Sequence, residues 1–204
     1  MLIQSQAGAL PANRQLGGTP NNPAGIFGEA NFSELAPIYS TLAKNGKIFT
    51  ASAALVTLSA SSTTATGLIL WNSSSQTDLH LLYALGNVAV TSATLTTIWL
   101  GKSVQAAIPT GLTAAVQTNG YLNQPTTGAG LAYTAATISV APTAVCNVMH
   151  NTAAIATTGE DAGFDQDFHG SIIVPPGMLV AFYGNTASAA TAVNLTLAWA
   201  ELPA

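Results

Sequence analysis

Val193-Asn194-Leu195-Thr196-Leu197-Ala198-Trp199-Ala200-Glu201-Leu202 decides the fold. Large apolar side chains at 193, 195, 197 and 199 alternate with Asn194, Thr196, Ala198 and Ala200, a period of two that belongs to an extended strand with one face on a core. The second face is small and polar, which suits solvent or a neighbouring subunit equally well.

Working back from this strand, short apolar and β-branched runs recur every ten to twenty residues, separated by Gly, Asn, Pro and Ser. Strands are expected at Ala54 to Ser59, Gly67 to Asn72, Leu79 to Val90, Thr94 to Leu100, Tyr133 to Ala141, Val145 to Asn151, Gly170 to Val174, Met178 to Gly184 and Val193 to Leu202. No amphipathic helix longer than three turns follows Lys47. The expectation is all-β, a jelly-roll-like β-sandwich over residues 48–204. Val174-Pro175-Pro176-Gly177 reads as a hairpin turn that sets 170–174 beside 178–184. Thr110 to Leu131, with five of its residues Gly or Pro and few large apolar groups, reads as a long loop suited to contacts.

Residues 1–47 differ in kind. Pro and Gly with interspersed Asn and Gln over 1–30 make an extended N-terminal arm that orders only against a partner. A short helix is expected over about 31–44: Asn31 and Glu34 form a capping box, while Leu35, Ile38, Tyr39 and Leu42 keep helical spacing. Asn45-Gly46 ends it, since both residues accept positive φ at low cost.

Charge narrows the function. Lys, Arg, Asp and Glu make up 6% of 204 residues, against about 25% in an ordinary soluble domain. Between Phe49 and Gly159 only Asp78 and Lys102 are charged. Burying an unpaired charge costs far more than burying a hydroxyl that finds a partner, so such a surface suits permanent subunit contacts. Four basic residues, Arg14, Lys44, Lys47 and Lys102, are too few to neutralise a run of phosphates, which excludes direct nucleic-acid binding. No apolar run is long enough for a transmembrane helix. Met1-Leu2-Ile3-Gln4 has neither the basic nor the apolar region of a secretory signal, so synthesis and use from the cytoplasm are expected.

Catalytic signatures are missing: there is no GxSxG, HExxH, GxxxxGK[ST] or strand-to-helix GxGxxG, and the protein is expected not to be an enzyme. Cys146 stands alone in an apolar run and reads as a small buried hydrophobe. His80 and His150 lie in strands and read as structural. Half of the acidic residues fall in Glu160-Asp161-Ala162-Gly163-Phe164-Asp165-Gln166-Asp167-Phe168-His169. On a strand, Asp165, Asp167 and His169 share a face and are the candidate ligands for Ca²⁺, although the EF-hand glycine and terminal glutamate are missing. A solvated or subunit-paired acidic loop is the plainer reading, with no cofactor. Trp71, Trp99 and Trp199 read as core or interface anchors.

Three blocks carry a resemblance. They are Lys47-Ile48-Phe49-Thr50-Ala51-Ser52, then Gly67-Leu68-Ile69-Leu70-Trp71-Asn72-Ser73-Ser74-Ser75 running into Leu79-His80-Leu81, and Val174-Pro175-Pro176-Gly177 through Ala198-Trp199-Ala200-Glu201-Leu202-Pro203. In this order the chain resembles a family of tailed-bacteriophage virion proteins over about residues 31–204. The neutral Ser73-Ser74-Ser75-Gln76 turn departs from relatives that often carry glycine and lysine there. The resemblance implies a capsid cement or decoration subunit on the exterior of the virion, assembled in the host cytoplasm. It would act as a homotrimer bound to the major capsid protein, with Ile26, Phe27, Phe32 and Trp199 as contact residues. The alternative it leaves open is a fibre or tail module that binds a receptor or glycan through 110–131 and 159–169.

Overall fold

The computed structural model describes residues 38–88, 95, 97–105, 107–150, 162–187 and 193–204. The chain divides into two units, Met1–Asn45 and Gly46–Ala204. In the first, helix α1 spans Ile38–Lys44. Asn45 N donates to Thr41 O at 3.1 Å, and Gly46 follows at φ 67°, the left-handed turn expected of Asn-Gly. Lys44 in the last turn faces the negative end of the helix dipole. The capping box at Asn31 and Glu34 lies outside the described residues.

The second unit is the expected all-β sandwich of two antiparallel sheets. Its strands are β1 (Ile48–Val56), β2 (Thr64–Asn72), β3 (Thr77–Val88), β4 (Thr97–Val104), β5 (Thr110–Ala114), β6 (Val116–Asn119), β7 (Gly130–Thr137), β8 (Thr143–His150), β9 (Ala162–Val174), β10 (Met178–Gly184) and β11 (Val193–Pro203). One sheet runs β6-β1-β11-β3-β9 and the other β5-β7-β2-β10-β4-β8. With β5, β6 and β7 set aside, the remaining eight strands, renumbered in chain order, run 1-8-3-6 in one sheet and 2-7-4-5 in the other. Each strand therefore lies in the opposite sheet from its predecessor, apart from the fourth and fifth.

The quoted strand, β11, lies between β1 and β3. Val193, Leu195, Leu197 and Trp199 enter the core as expected, and Trp199 stacks on Phe49 with ring centroids 5.9 Å apart. On the opposite face Asn194 and Thr196 are half-buried and Ala198 and Ala200 buried, the two alanines standing beside Tyr83 and His80 on one flank and Thr50 and Ile48 on the other.

Asn72 ends β2 with its side chain fully buried. Its Nδ2 donates to Thr77 O at 2.7 Å and Val174 O at 2.8 Å, and its Oδ1 accepts from Ser74 N. One amide thus ties the second sheet to the ends of β3 and β9 in the first. That is the work done by the Asn in the Trp71-Asn72-Ser73 block.

Three expectations are corrected. Val174-Pro175-Pro176-Gly177 is not a hairpin. β9 pairs with β3 in one sheet and β10 lies between β2 and β4 in the other, so the turn carries the chain across the sandwich, with Gly177 at φ 74° donating to Asn72 O. Residues 110–131 are not a long loop, because β5 and β6 lie within them and β7 begins at Gly130. β5 is exposed at all five positions, so no alternation of burial marks it. The 160–169 segment is not a loop from Ala162 onward but the first part of β9, broken by a bulge where His169 and Gly170 take φ 50° and 79°.

After β7 the chain straps the outer face of the second sheet. Ile138 N donates to Thr63 O, Ser103 Oγ to Val140 O and Ser61 Oγ to Pro142 O. A second, smaller core of Ala65, Ile69, Ala136, Ile138, Leu179 and Ala181 forms on that face, with Trp71 and Tyr133 packed against it.

Candidate interaction surface

None of the candidate chemical groups forms a reactive constellation among the described residues. Asp167 Oδ1 lies 3.2 Å from His169 Nδ1, both side chains well exposed on β9, and also accepts from His169 N. No three His, Cys, Asp or Glu side chains come together to hold a metal among the described residues, so Asp165 does not complete a site with that pair. His150 Nδ1 lies 3.1 Å from Thr97 Oγ1, a pairing between neighbouring strands. Cys146 is half-buried against the core, and burial pushes its thiol pKa up, away from the reactive thiolate.

Trp199, expected as a contact residue, is corrected: it is fully buried, and its indole belongs to the core. Its Nε1 donates to Glu201 Oε1 at 3.2 Å. Ile26, Phe27 and Phe32 lie outside the described residues. Trp71 is half-buried, and its Nε1 has no hydrogen-bond partner among the described residues.

What the fold does build is an insertion between β4 and β7, residues 105–129, with no charged side chain of its own and several open apolar ones. From Ser103 to Gly159 the chain has no Lys, Arg, Asp or Glu. The exposed Ile108, Leu112, Val116, Tyr121 and Leu122 lie on or beside β5 and β6, five of the twelve exposed large hydrophobics of the described residues, whereas Val104 and Val145 stand on β4 and β8 at the other side of the second sheet. The most open are Leu122 at 84%, Val116 at 74% and Ile108 at 69%.

The insertion is firmly mounted. β5 edges one sheet, β6 edges the other, and Ala115 links them with its N–H donating to Ala132 O at 3.0 Å. Gln117 bridges β6 to β7, its Nε2 donating to Gly130 O and its Oε1 accepting from Ala132 N. Asn119 accepts from Tyr121 N and donates to Gly46 O. From the core side, the buried Glu201 carboxylate accepts from Ala129 N at 2.9 Å and Gly130 N at 2.8 Å. The sequence hint of this mounting was a lone glutamate in an apolar strand, which the period-two pattern passes over.

Among the described residues β5 and β6 each have one unpaired edge, and neither strand contains a Lys, Pro or acidic residue. Such edges are templates for pairing with another chain. Compared with known proteins, the chain matches no family model, no curated protein and no solved structure.

Proposed function

We propose that this chain is a non-enzymatic structural subunit of a virus particle, a capsid cement or decoration protein that assembles with itself and with the major capsid protein. The observation that carries the reading is the concentration of exposed apolar side chains on a charge-free, well-anchored insertion. Such a surface loses little on desolvation and meets a copy of itself without like-charge repulsion.

Two further features support it. We read the strand orders 1-8-3-6 and 2-7-4-5 as a jelly roll, an architecture used in viral capsid and lectin domains. The ordered blocks around Phe49, Asn72 and Trp199 resemble tailed-phage virion proteins. In this reading the sandwich forms a homotrimer on the outside of the shell, and residues 1–30 lie along neighbouring capsid subunits. Many repeated weak contacts then add through multivalency.

Deleting residues 1–30 is expected to leave the fold and the self-association intact and to weaken binding to shells. Co-sedimentation of the truncated and full chains with undecorated heads measures this, and equal retention would refute the role of the arm. The exposed turn 121–127 favours the second reading, a fibre or tail module that contacts a receptor or glycan. A stained gel of purified virions separates the two, since cement is abundant and fibres are few.

A further inference from the structure

The two long sides of the sandwich are finished differently. On one, β5, β6 and β7 extend the sheets beyond β1 and β2. On the other, β8 and β9 are edges with no further neighbour among the described residues. There a cavity of about 350 Å³ opens between the sheets.

The floor of this cavity is the core itself. Val174 and Val180 are buried in it, while Ile172 and Met178 pack against it from the partly exposed side. At the mouth stand Lys102 and Ser171. Lys102 has an unusual position for a lysine. In β4 Leu100 lies in the core and Ser103 bonds outward to the strap, so Lys102 shares the face of Leu100, opposite the buried Val180. It is the single lysine or arginine between residues 48 and 204, and it has no acidic partner among the described residues.

An apolar cleft with one cation and one hydroxyl at its mouth fits the general form of a small-molecule site, which has mostly apolar walls, a few polar groups and about 300–1,000 Å³ of space. We propose that it binds a small amphipathic carboxylate, of the chemical class of a medium-chain fatty acid. The tail lies along Ile172, Val174 and Met178, and the head accepts hydrogen bonds from the Lys102 ammonium and the Ser171 hydroxyl. Charge-assisted bonds of this kind set the head-group preference, and the apolar walls set the affinity common to any tail.

Titration calorimetry of the full chain with decanoate, decanol and decyltrimethylammonium tests the site. Decanoate is expected to bind one per chain, about tenfold or more tighter than decanol, with the cation weakest. Lys102→Met, which keeps an apolar stem at an exposed position, should erase the preference for decanoate and leave decanol binding unchanged. Ile172→Trp, which fills the cleft and keeps the Lys102 ammonium, should weaken decanoate and decanol together. Far-ultraviolet circular dichroism establishes that both variants are folded. Absence of saturable binding by the wild-type chain, or a decanoate preference that survives Lys102→Met, would overturn the proposal.

Discussion

Glu201→Ala is expected to destabilise the fold by about 3–5 kcal/mol, read as a lower urea midpoint with an unchanged slope. The carboxylate accepts from Ala129 N, Gly130 N and Trp199 Nε1 in a site only 7% exposed. Alanine leaves all three donors without a partner, and each buried orphan costs roughly 1–3 kcal/mol. Glu201→Gln keeps one acceptor but turns an N–H₂ toward a backbone N–H, so a loss of about 2 kcal/mol is expected. Gly128→Ala reaches the same cluster from the other side, because a Cβ there would collide with the Glu201 carboxylate. If Glu201→Ala shifts stability by less than about 1 kcal/mol, the carboxylate does not clamp the insertion to the core.

The second large effect concerns assembly. Val116→Lys combined with Leu122→Lys is expected to weaken self-association by about 100-fold while changing the stability of the subunit by less than about 0.5 kcal/mol. Both side chains are open in the single chain, at 74% and 84% exposure, so lysine is solvated there. In an interface each ammonium must lose water or meet its symmetry copy, and both are unfavourable. Sedimentation velocity across a dilution series measures the shift. A double variant that associates as tightly as the wild type would remove this surface from the interface.

The core was legible from sequence wherever one face of a strand is buried and the other is not. β11 was readable for that reason over 193–197, whereas β10, buried at nearly every position, was readable as a short apolar run bounded by turn residues, with 178–184 falling on its observed bounds. β5 escaped because all five of its side chains are exposed, and the acidic half of β9 escaped because Gly and Asp are poor strand formers, although exposed Gly163, Asp165 and Asp167 alternate there with the half-buried Phe164 and Gln166 and the buried Phe168. The hairpin expectation at 174–177 failed for a different reason. Local turn chemistry specifies a reversal of the chain but not which sheet receives the next strand; here β3 had already taken the pairing edge of β9. Trp199 shows the same limit at the level of a residue, since a large aromatic beside a small-residue face reads alike as core or interface until its ring is found stacked on Phe49.

The candidate surface was half legible. The absence of charge from Ser103 to Gly159 was visible at once and pointed to contact. That these residues form two strand edges bridged by Ala115 and mounted on Gln117, Asn119 and Glu201 depends on pairings far apart in sequence, such as Ala129 with Glu201. No local pattern encodes them.

The most direct test of the assembly reading is the solution mass of the purified full-length chain by light scattering, with and without EDTA. The expected result is a stable species of three times the 20.6 kDa chain mass, unchanged by the chelator. A monomer at every concentration would contradict self-assembly through the charge-free surface and would shift the function to a module that binds through its exposed turns.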